Sequence, residues 1–343
     1  MKYPEIKIHV GLVGVLLGAS LFTGCIHEYP FATQVPATPS GNDPTAVSTY
    51  IEVDYDLQWE NILHHIDFST RSDDQTPHRF MVEVRENGES VVSDIHYLSD
   101  SEFSSGHLRR RLSAILANKV YEIAVWYDMR SSSGDFSYEG KDLRTITLLD
   151  YSSTDVETRR CGMAYDFLDL RDIKAPEENR NGETLTYTKT LNLQHPGARF
   201  EIVATDVQQF IADHKEDLNQ GDSFSVEVSL SKGAYDAFNV FTSTPLRTLE
   251  ALNLSGHMRL PFAEYESLKI AEGFFFCHEE EEVTARITII NSSLVAISQT
   301  DYFTFPARRG FITTIEGDFL THPLDGIFQV NSLWDGEIEF FLP

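Results

Sequence analysis

Apolar and polar residues begin to alternate at Tyr50, and short runs of the same kind recur almost to the end of the chain. The first run has an apolar and a polar face, formed by Ile51, Val53, Tyr55, Leu57 and Trp59 and by Glu52, Asp54, Asp56 and Gln58. A period of two is typical of a strand with one buried face. The pattern therefore predicts a first strand over residues 50–59.

Comparable strands are predicted along the rest of the chain. They cover residues 80–84, 112–116, 121–127, 143–149, 184–193, 199–204, 223–230, 285–290, 302–305, 311–316 and 337–342. The dipeptide Asn87-Gly88 is a turn signal after the first of them. Residues 107–116 fit a helix or a strand, and we predict a strand because a β-turn and a β run follow directly.

One helix is predicted near the middle of the chain. Thr205 and Asp206 are good N-cap residues, and they precede a helical spacing of apolar positions at Val207, Phe210, Ile211 and His214. Many short strands with little helix predict an all-β protein built from two β-sandwich domains in tandem. The polar segment 175–183 marks their boundary, so we predict domains at 50–178 and 184–343.

The segment before the first strand predicts export and lipid attachment. Residues 1–24 have a basic start and a 12-residue apolar stretch from Val10 to Leu21, too short for a membrane span of about 20 residues. Small residues then lead into Cys25, as in a bacterial lipoprotein signal, so Cys25 is the predicted lipid attachment site. Residues 25–49, rich in Pro, Thr and Ser, are predicted to be a flexible tether. The alternative is a soluble secreted protein with an unmodified cysteine.

Charge and motifs exclude several classes of protein. A formal net charge of -26 argues against binding to nucleic acid, whose phosphates would be repelled. Cys161 and Cys277 are far apart and do not form a disulfide framework, so we expect isolated small apolar side chains. We find no sequence motif of a hydrolase, zinc protease, nucleotide-binding or dinucleotide-binding enzyme, and we expect no enzyme, cofactor or metal.

Four groups of residues are weak candidates for binding. His64 and His65, beside Asp67, are expected to be loop residues and not metal ligands. His278 and the following residues Glu279–Glu282 are expected to form a solvated loop rather than a calcium site. Arg109, Arg110 and Arg111 would alternate between the two faces of a strand, which disfavours a phosphate patch. Trp126 and Trp334 lie in predicted strands, where aromatic residues serve a core more often than a glycan platform.

Several segments, taken in order, resemble the FimB-like fimbrial anchor and minor subunit lipoproteins of Bacteroidales. They are CIHEYP (25–30), HRFMVEVRENGE (78–89), YEIAVWYDM (121–129), KDLRTITLLDYSSTDVETRRCGMA (141–164), LQHPGARFEIVATDVQQF (193–210), RRGFITTIEGDFLT (308–321) and WDGEIEF (334–340). The resemblance implies two transthyretin-like β-sandwich domains. It also implies a fimbrial subunit, anchored by lipid in the outer membrane at the cell surface, that roots or caps a filament.

The partners expected from the resemblance are fimbrial shaft or accessory subunits. The resemblance implies that shaft subunits mature when an Arg-specific protease removes an N-terminal strand, which opens a groove for a neighbour's strand. Between Cys25 and Arg71 this chain has no Lys or Arg, so such a protease could not remove the first strand without detaching the lipid. We therefore expect the first strand to be retained. The C-terminal strand, 337–342, would then be added to a neighbour's sheet, or it would close its own sheet. A surface glycan-binding lipoprotein is the alternative function, and contact with the membrane is expected through the lipid only.

Overall fold

The computed structural model describes residues 46–54, 78–103, 107–129, 136–140, 142–149, 161–173, 185–213, 223–248, 254–259, 267–321 and 337–341. Within these ranges the chain is almost entirely β-structure, as the alternating pattern predicts. Two short helices are present there, Asp100–Phe103 and Val207–Asp213. The second of them is the predicted helix.

The described part of the N-terminal half contains nine strands. They are β1 (Val47–Asp54), β2 (His78–Glu86), β3 (Glu89–Leu98), β4 (His107–Leu116), β5 (Val120–Met129), β6 (Tyr138–Gly140), β7 (Ile146–Leu148), β8 (Cys161–Asp169) and β9 (Leu185–Asn192). Seven of these form a sandwich of two sheets, with strand orders β4-β1-β9 and β3-β2-β5-β8. Residues 107–116 are a strand, as predicted.

The turn between β2 and β3 shows how local sequence determines the register. Asn87 and Gly88 have φ angles of 52° and 83°. Positive φ at both central residues is the geometry of a type I′ hairpin turn, which Asn-Gly favours. The turn joins β2 to β3, so that Phe80 pairs with His96 and Val84 with Val92.

The core of this first sandwich lies between its two sheets. It is formed by the alternate apolar residues of the facing strands, among them Ile51, Val53, Phe80, Val82, Leu108, Leu112, Ile123, Val125, Leu168, Leu185 and Leu191. Because these residues recur at every second position, each strand of the sandwich has one face in this core.

The C-terminal half contains the other eleven strands that the structure describes. They are β10 (Gly197–Ala204), β11 (Ser223–Lys232), β12 (Tyr235–Asn239), β13 (Thr244–Thr248), β14 (Leu254–Arg259), β15 (Leu268–Phe276), β16 (Glu280–Ile290), β17 (Ala296–Gln299), β18 (Phe303–Arg308), β19 (Ile312–Gly317) and β20 (Glu337–Phe341). One sheet has the order β14-β11-β16-β17, with β18 also on β16. The other has the order β20-β19-β10-β15-β12-β7-β6, with β13 also on β12.

A second core fills the space between these two sheets. Its largest members are the buried rings of Phe200, Phe210, Phe275 and Phe305. The helix Val207–Asp213 contributes Val207 and Phe210, as its periodicity predicts. The side chain of Asp206, the predicted N-cap, accepts hydrogen bonds from the backbone N–H groups of Leu320 (2.9 Å) and Thr321 (2.6 Å), so it also connects the helix to the end of this half.

The two sandwiches repeat one strand plan. In the first, β1 pairs antiparallel with β4 and parallel with β9; in the second, β10 pairs antiparallel with β15 and parallel with β19. The strand order β3-β2-β5-β8 in the first sandwich corresponds to the order β14-β11-β16-β18 in the second, where β18 pairs with β16. Each half therefore uses seven equivalent strands, and β20 is an addition beside β19.

Two groups of strands belong to a different sandwich from the one that the sequence analysis predicts. The strand at 185–192, predicted to open the C-terminal domain, pairs with β1 and completes the first sandwich. Conversely β6 and β7, inside the predicted N-terminal domain, extend the large C-terminal sheet through the pairing of β7 with β12. Alternation of apolar and polar residues reveals that a strand exists but not which strand it pairs with. The sequence pattern therefore could not predict this exchange of strands between the two sandwiches. All described residues belong to one compact unit, Val35–Pro343.

Candidate assembly edges and lipid attachment site

The predicted lipid attachment site, Cys25, lies outside the described residues, and so do the predicted signal and residues 25–45 of the predicted tether. The predicted end of the tether at residue 49 is wrong, because residues 47–49 form the start of β1. The structure begins to describe the chain at residue 46, and β1 begins at Val47. The first strand of the fold thus starts 22 residues after the predicted lipid.

Strand β1 occupies the middle of its sheet, between β4 and β9. Its side chains Val47, Ile51 and Val53 are at most 2 % exposed and belong to the core of the first sandwich. The groove that removal of this strand would open is filled by the protein's own chain. Residues 55–59 of the predicted strand, and Arg71, lie outside the described residues.

Strand β20 lies at one end of the large sheet and pairs parallel with β19, from Ile312 opposite Glu337 to Glu316 opposite Phe341. Of the two roles considered for the C-terminal strand, the structure shows it closing its own sheet. Donation of β20 to a neighbour would require it to leave β19.

The equivalent edge of the first sandwich is β9. Within the described part of the chain, β9 pairs only with β1, and no strand lies on its other side. At the edge, Lys189 forms an ion pair of 2.5 Å with Asp166 on β8. The hydrogen bond of Lys189 lowers the pKa of the Asp166 carboxyl. This pair connects the two sheets at the side where the sandwich is open.

The outer face of the sheet β4-β1-β9 is polar and basic. Arg109 lies over the ring of Tyr50, 5.2 Å from its centroid, and its Nη2 donates to Thr188 Oγ1 at 3.2 Å. Arg111 Nη2 donates to Ser48 Oγ at 2.8 Å. Among the residues that the structure describes, neither guanidinium has a carboxylate within ion-pair distance.

Arg110 has a different environment from its two neighbours, as expected for alternating positions in a strand. Its Nη2 lies 3.2 Å from Glu102 Oε1, in the one-turn helix Asp100–Phe103. The three arginines therefore do not act together: Arg109 and Arg111 share the outer face, and Arg110 is paired elsewhere. The spacing of Arg109 and Arg111, two positions apart in a strand, is the sequence signal that could have identified this face.

A third apolar cluster joins the two sandwiches. It combines residues of the first half, including Met81, Trp126, Tyr138, Ile146 and Met163, with Phe238, Phe241, Phe274 and Phe276 of the second. Trp126 is fully buried, 5.3 Å from the Tyr138 ring and 6.1 Å from the Phe276 ring. Trp126 is therefore a structural residue and not part of an exposed glycan platform, and Trp334 lies outside the described residues.

Two ion pairs flank this cluster. Arg79 Nε donates to Asp128 Oδ1 at 2.8 Å, and Arg79 Nη2 also donates to the carbonyl of Tyr138 at 3.0 Å. Burial raises the pKa of the Asp128 carboxyl, and the Arg79 guanidinium opposes that rise. Glu83 accepts from Arg85 Nε at 2.8 Å and from the backbone N–H of Leu143 at 2.8 Å. Buried carboxylates thus hold the β6–β7 segment on the outer face of the first sandwich.

The remaining candidates form no site in the described residues. His278 is 48 % exposed and lies 4.0 Å from Glu281, at the limit of an ion pair. Within the described ranges no three His, Cys, Asp or Glu residues are grouped as metal ligands, and no helix is long and apolar enough to cross a membrane. His64, His65 and Asp67 lie outside the described ranges.

The two cysteines of the folded part are free and buried, as the sequence analysis expects. Burial raises the pKa of Cys161 and raises that of Cys277 to about 12. Both thiols are therefore protonated at neutral pH, and they behave as small apolar side chains.

The fold defines the chain as an all-β protein of two tandem sandwiches, in which the described residues cover the edge of one sandwich and leave that of the other open. Residues 44–341 match the model of a family of unknown function, DUF6562, and the chain belongs to this family. No curated protein matches the chain.

The chain is also similar to solved structures of fimbrial proteins. One is the fimbrial anchor protein Mfa2 from Porphyromonas gingivalis, with 14% identity, a TM-score of 0.42, and coverage of 74% of this chain and 82% of that chain. Another is a fimbrial assembly protein from Parabacteroides distasonis, with 13% identity, a TM-score of 0.32, and coverage of 79% and 90%.

Proposed function

We propose that this protein is a non-catalytic fimbrial subunit, anchored by lipid at Cys25 in the outer membrane. It roots or caps a filament at the cell surface, and it binds shaft or accessory subunits by strand addition. The proposed role needs no cofactor and no metal, and the lipid is the only contact with the membrane.

The sequence supports each part of this role. A lipoprotein signal ending at Cys25, followed by a tether rich in Pro, Thr and Ser, suits a protein held just above a membrane. Tandem β-sandwiches with sheet edges are suited to assembly by strand addition, in which backbone hydrogen bonds supply the affinity.

The observation that carries the proposal is the central position of β1. A force that pulls a filament away from the membrane reaches the described fold at Val47, where β1 begins. Strand β1 pairs with β9 along all eight of its residues and with β4 at seven of them, and it has Ile51 and Val53 buried in the core. Several backbone hydrogen bonds and apolar contacts therefore resist the force together, as a root requires.

The test is replacement of the predicted lipidated cysteine. Cys25→Ser should move the protein from the membrane fraction to the soluble fraction, or stop its export, because acyl chains contribute about 0.8 kcal/mol per buried methylene. The matched control is Cys161→Ala, which removes a buried thiol and should leave the protein in the membrane pellet. A Cys25→Ser protein that remains entirely in the pellet would contradict lipid anchoring.

Surface exposure and assembly need two further measurements. Protease treatment of intact cells should remove the folded domains of the wild-type protein, whereas a protein facing the periplasm would survive. Capture of the lipidated protein from solubilised envelopes should co-purify a filament subunit. Capture without any filament subunit would argue for the glycan-binding alternative.

A further inference from the structure

The repeated strand plan makes the two sheet edges directly comparable. Strand β9 is the last strand of the first sandwich, and β19 is its equivalent in the second. Both run parallel to the first strand of their sandwich. Strand β20 covers β19 as a further parallel strand, whereas among the described residues nothing covers β9.

Burial beside the two edges differs accordingly. On β19 the core-facing residues Thr313 and Ile315 are fully buried. On β9 the central core-facing residues, Tyr187 and Lys189, are only partly buried. A strand added to β9 would cover the Tyr187 ring and the aliphatic part of Lys189, and apolar area removed from water contributes about 25 cal/mol per Å².

The outer face beside β9 adds a charge preference. Arg109 belongs to β4, yet its guanidinium extends across β1 to Thr188 on β9. A strand paired with β9 would lie about 4.8 Å further out, within reach of this guanidinium. A basic group without a carboxylate partner in the described residues is notable in a chain of net charge -26.

We propose that the uncovered edge of β9 accepts a strand from a partner subunit, parallel to β9, in which acidic and apolar residues alternate. The apolar residues pack against Tyr187 at the rim of the core, and a carboxylate on the outer face pairs with Arg109. This inference rests on the proposed fimbrial function only for the identity of the partner. The open edge and its preference for acidic residues are inferred from the geometry of this chain.

The chain itself contains a strand with this pattern, and it supplies the probe. A labelled synthetic peptide with the sequence of residues 336–343, GEIEFFLP, is added to the full-length protein in detergent. Binding is followed by fluorescence anisotropy, and its location by hydrogen exchange. The backbone N–H groups of a parallel strand point alternately to its two sides, so those of β9 that point away from β1 would bond to the peptide. Peptide binding should therefore slow exchange in residues 185–192 and leave residues 312–317 unchanged.

The charge preference is tested with neighbouring arginines. Arg109→Gln should weaken binding about threefold to fivefold, the effect of one exposed ion pair. Arg110→Gln is the matched control, because that guanidinium is paired with Glu102, and it should bind the peptide as the wild type does. A peptide with Gln in place of both Glu residues should bind weakly and equally to the wild type and to Arg109→Gln.

Four results would overturn the inference. The first two are an absence of peptide binding at millimolar concentration and a slowing of hydrogen exchange in residues 312–317 instead of 185–192. The third is full protection of β9 from exchange before the peptide is added. The fourth is an equal affinity of the wild type and Arg109→Gln for the peptide. None of these results affects the location of the Cys25→Ser protein, so failure of this inference and failure of the proposed function are separate outcomes.

Discussion

The two sandwiches share seven strands in the same order and differ at one edge. In the C-terminal sandwich the parallel strand β20 lies beside β19, and the core-facing residues there are fully buried. In the N-terminal sandwich β9 has no such neighbour in the described residues, and an ion pair between Lys189 and Asp166 occupies the open side. One strand plan used twice thus gives one closed end and one end that can still accept a strand.

The same comparison shows that the sandwiches are not independent. Strands β6 and β7 leave the first sandwich and extend the sheet of the second, and a shared cluster around Trp126 fills the space between. The repeated strand plan describes how each sandwich is built, whereas the third apolar cluster couples the stability of the two sandwiches.

The largest expected effect concerns this coupling. A protease site inserted within residues 175–183 of the full-length protein should allow cutting, but the two pieces should stay together in gel filtration. The C-terminal piece supplies β9 to the first sandwich, and the N-terminal piece supplies β6 and β7 to the second. Two separate folded fragments would show that the halves are independent, as a simple boundary at 175–183 suggests.

Removal of the central aromatic residue should weaken both halves. Trp126→Ala should lower the free energy of unfolding by about 3–5 kcal/mol, because a fully buried indole leaves a large cavity. Chemical denaturation followed by two probes, one in each sandwich, should change from one transition to two. Phe167→Ala is the control on the neighbouring strand. That ring is 54% exposed, so its loss should cost less than about 1 kcal/mol.

The smallest expected effect is a difference between the two sandwiches in how their stability depends on pH. Burial, together with the charges of Arg199 and Arg309, lowers the pKa of His195 to about 4, and its ring lies 5.4 Å from that of Phe274. The unfolded chain takes up this proton near pH 6.5, so stability is lost as the pH falls from 6.5 towards 4. Between pH 7 and pH 5.5 the loss from this group should be about 1 kcal/mol.

His195→Gln should remove that part of the pH dependence from the C-terminal sandwich. Hydrogen exchange at pH 7 and pH 5.5 can measure each sandwich separately. The N-terminal sandwich should keep its own pH dependence in this variant, since burial also lowers the pKa of His96 on β3. An unchanged C-terminal response would show that another group causes it.

The sequence predicts strands well where one face is buried and the other is exposed. The runs at 199–204 and 285–290 are strands, and so is 107–116, which fits a helix or a strand by its sequence. Strand β15, LKIAEGFFF, was missed because it lies between two cores. Phe275 belongs to the core of the C-terminal sandwich, and Phe274 and Phe276 belong to the cluster between the halves. A strand buried on both faces shows no alternation.

The candidate edge could be predicted only in part. The pair Arg109 and Arg111 gives two basic residues on one face of a strand, but their relation to Thr188, 79 residues away for Arg109, depends on the pairing of β1 with β9. Parallel pairing between the first and last strands of a sandwich has no local signal. Buried pairs such as Arg79 with Asp128 are equally invisible, because charged residues in a strand usually indicate an exposed face.

The exchange of β6 and β7 has a consequence for the order in which the molecule can fold. During synthesis the seven strands of the first sandwich are complete once residue 192 has emerged. The apolar outer face that carries Met81, Trp126 and Met163 is covered in part by the β6–β7 segment, and its cover is complete only when β12 and β15 follow, up to Phe276. For the time needed to make about eighty further residues, the first sandwich has the rest of this surface exposed to water. We expect that nascent intermediate to be the species most prone to aggregation and the one that most needs a chaperone.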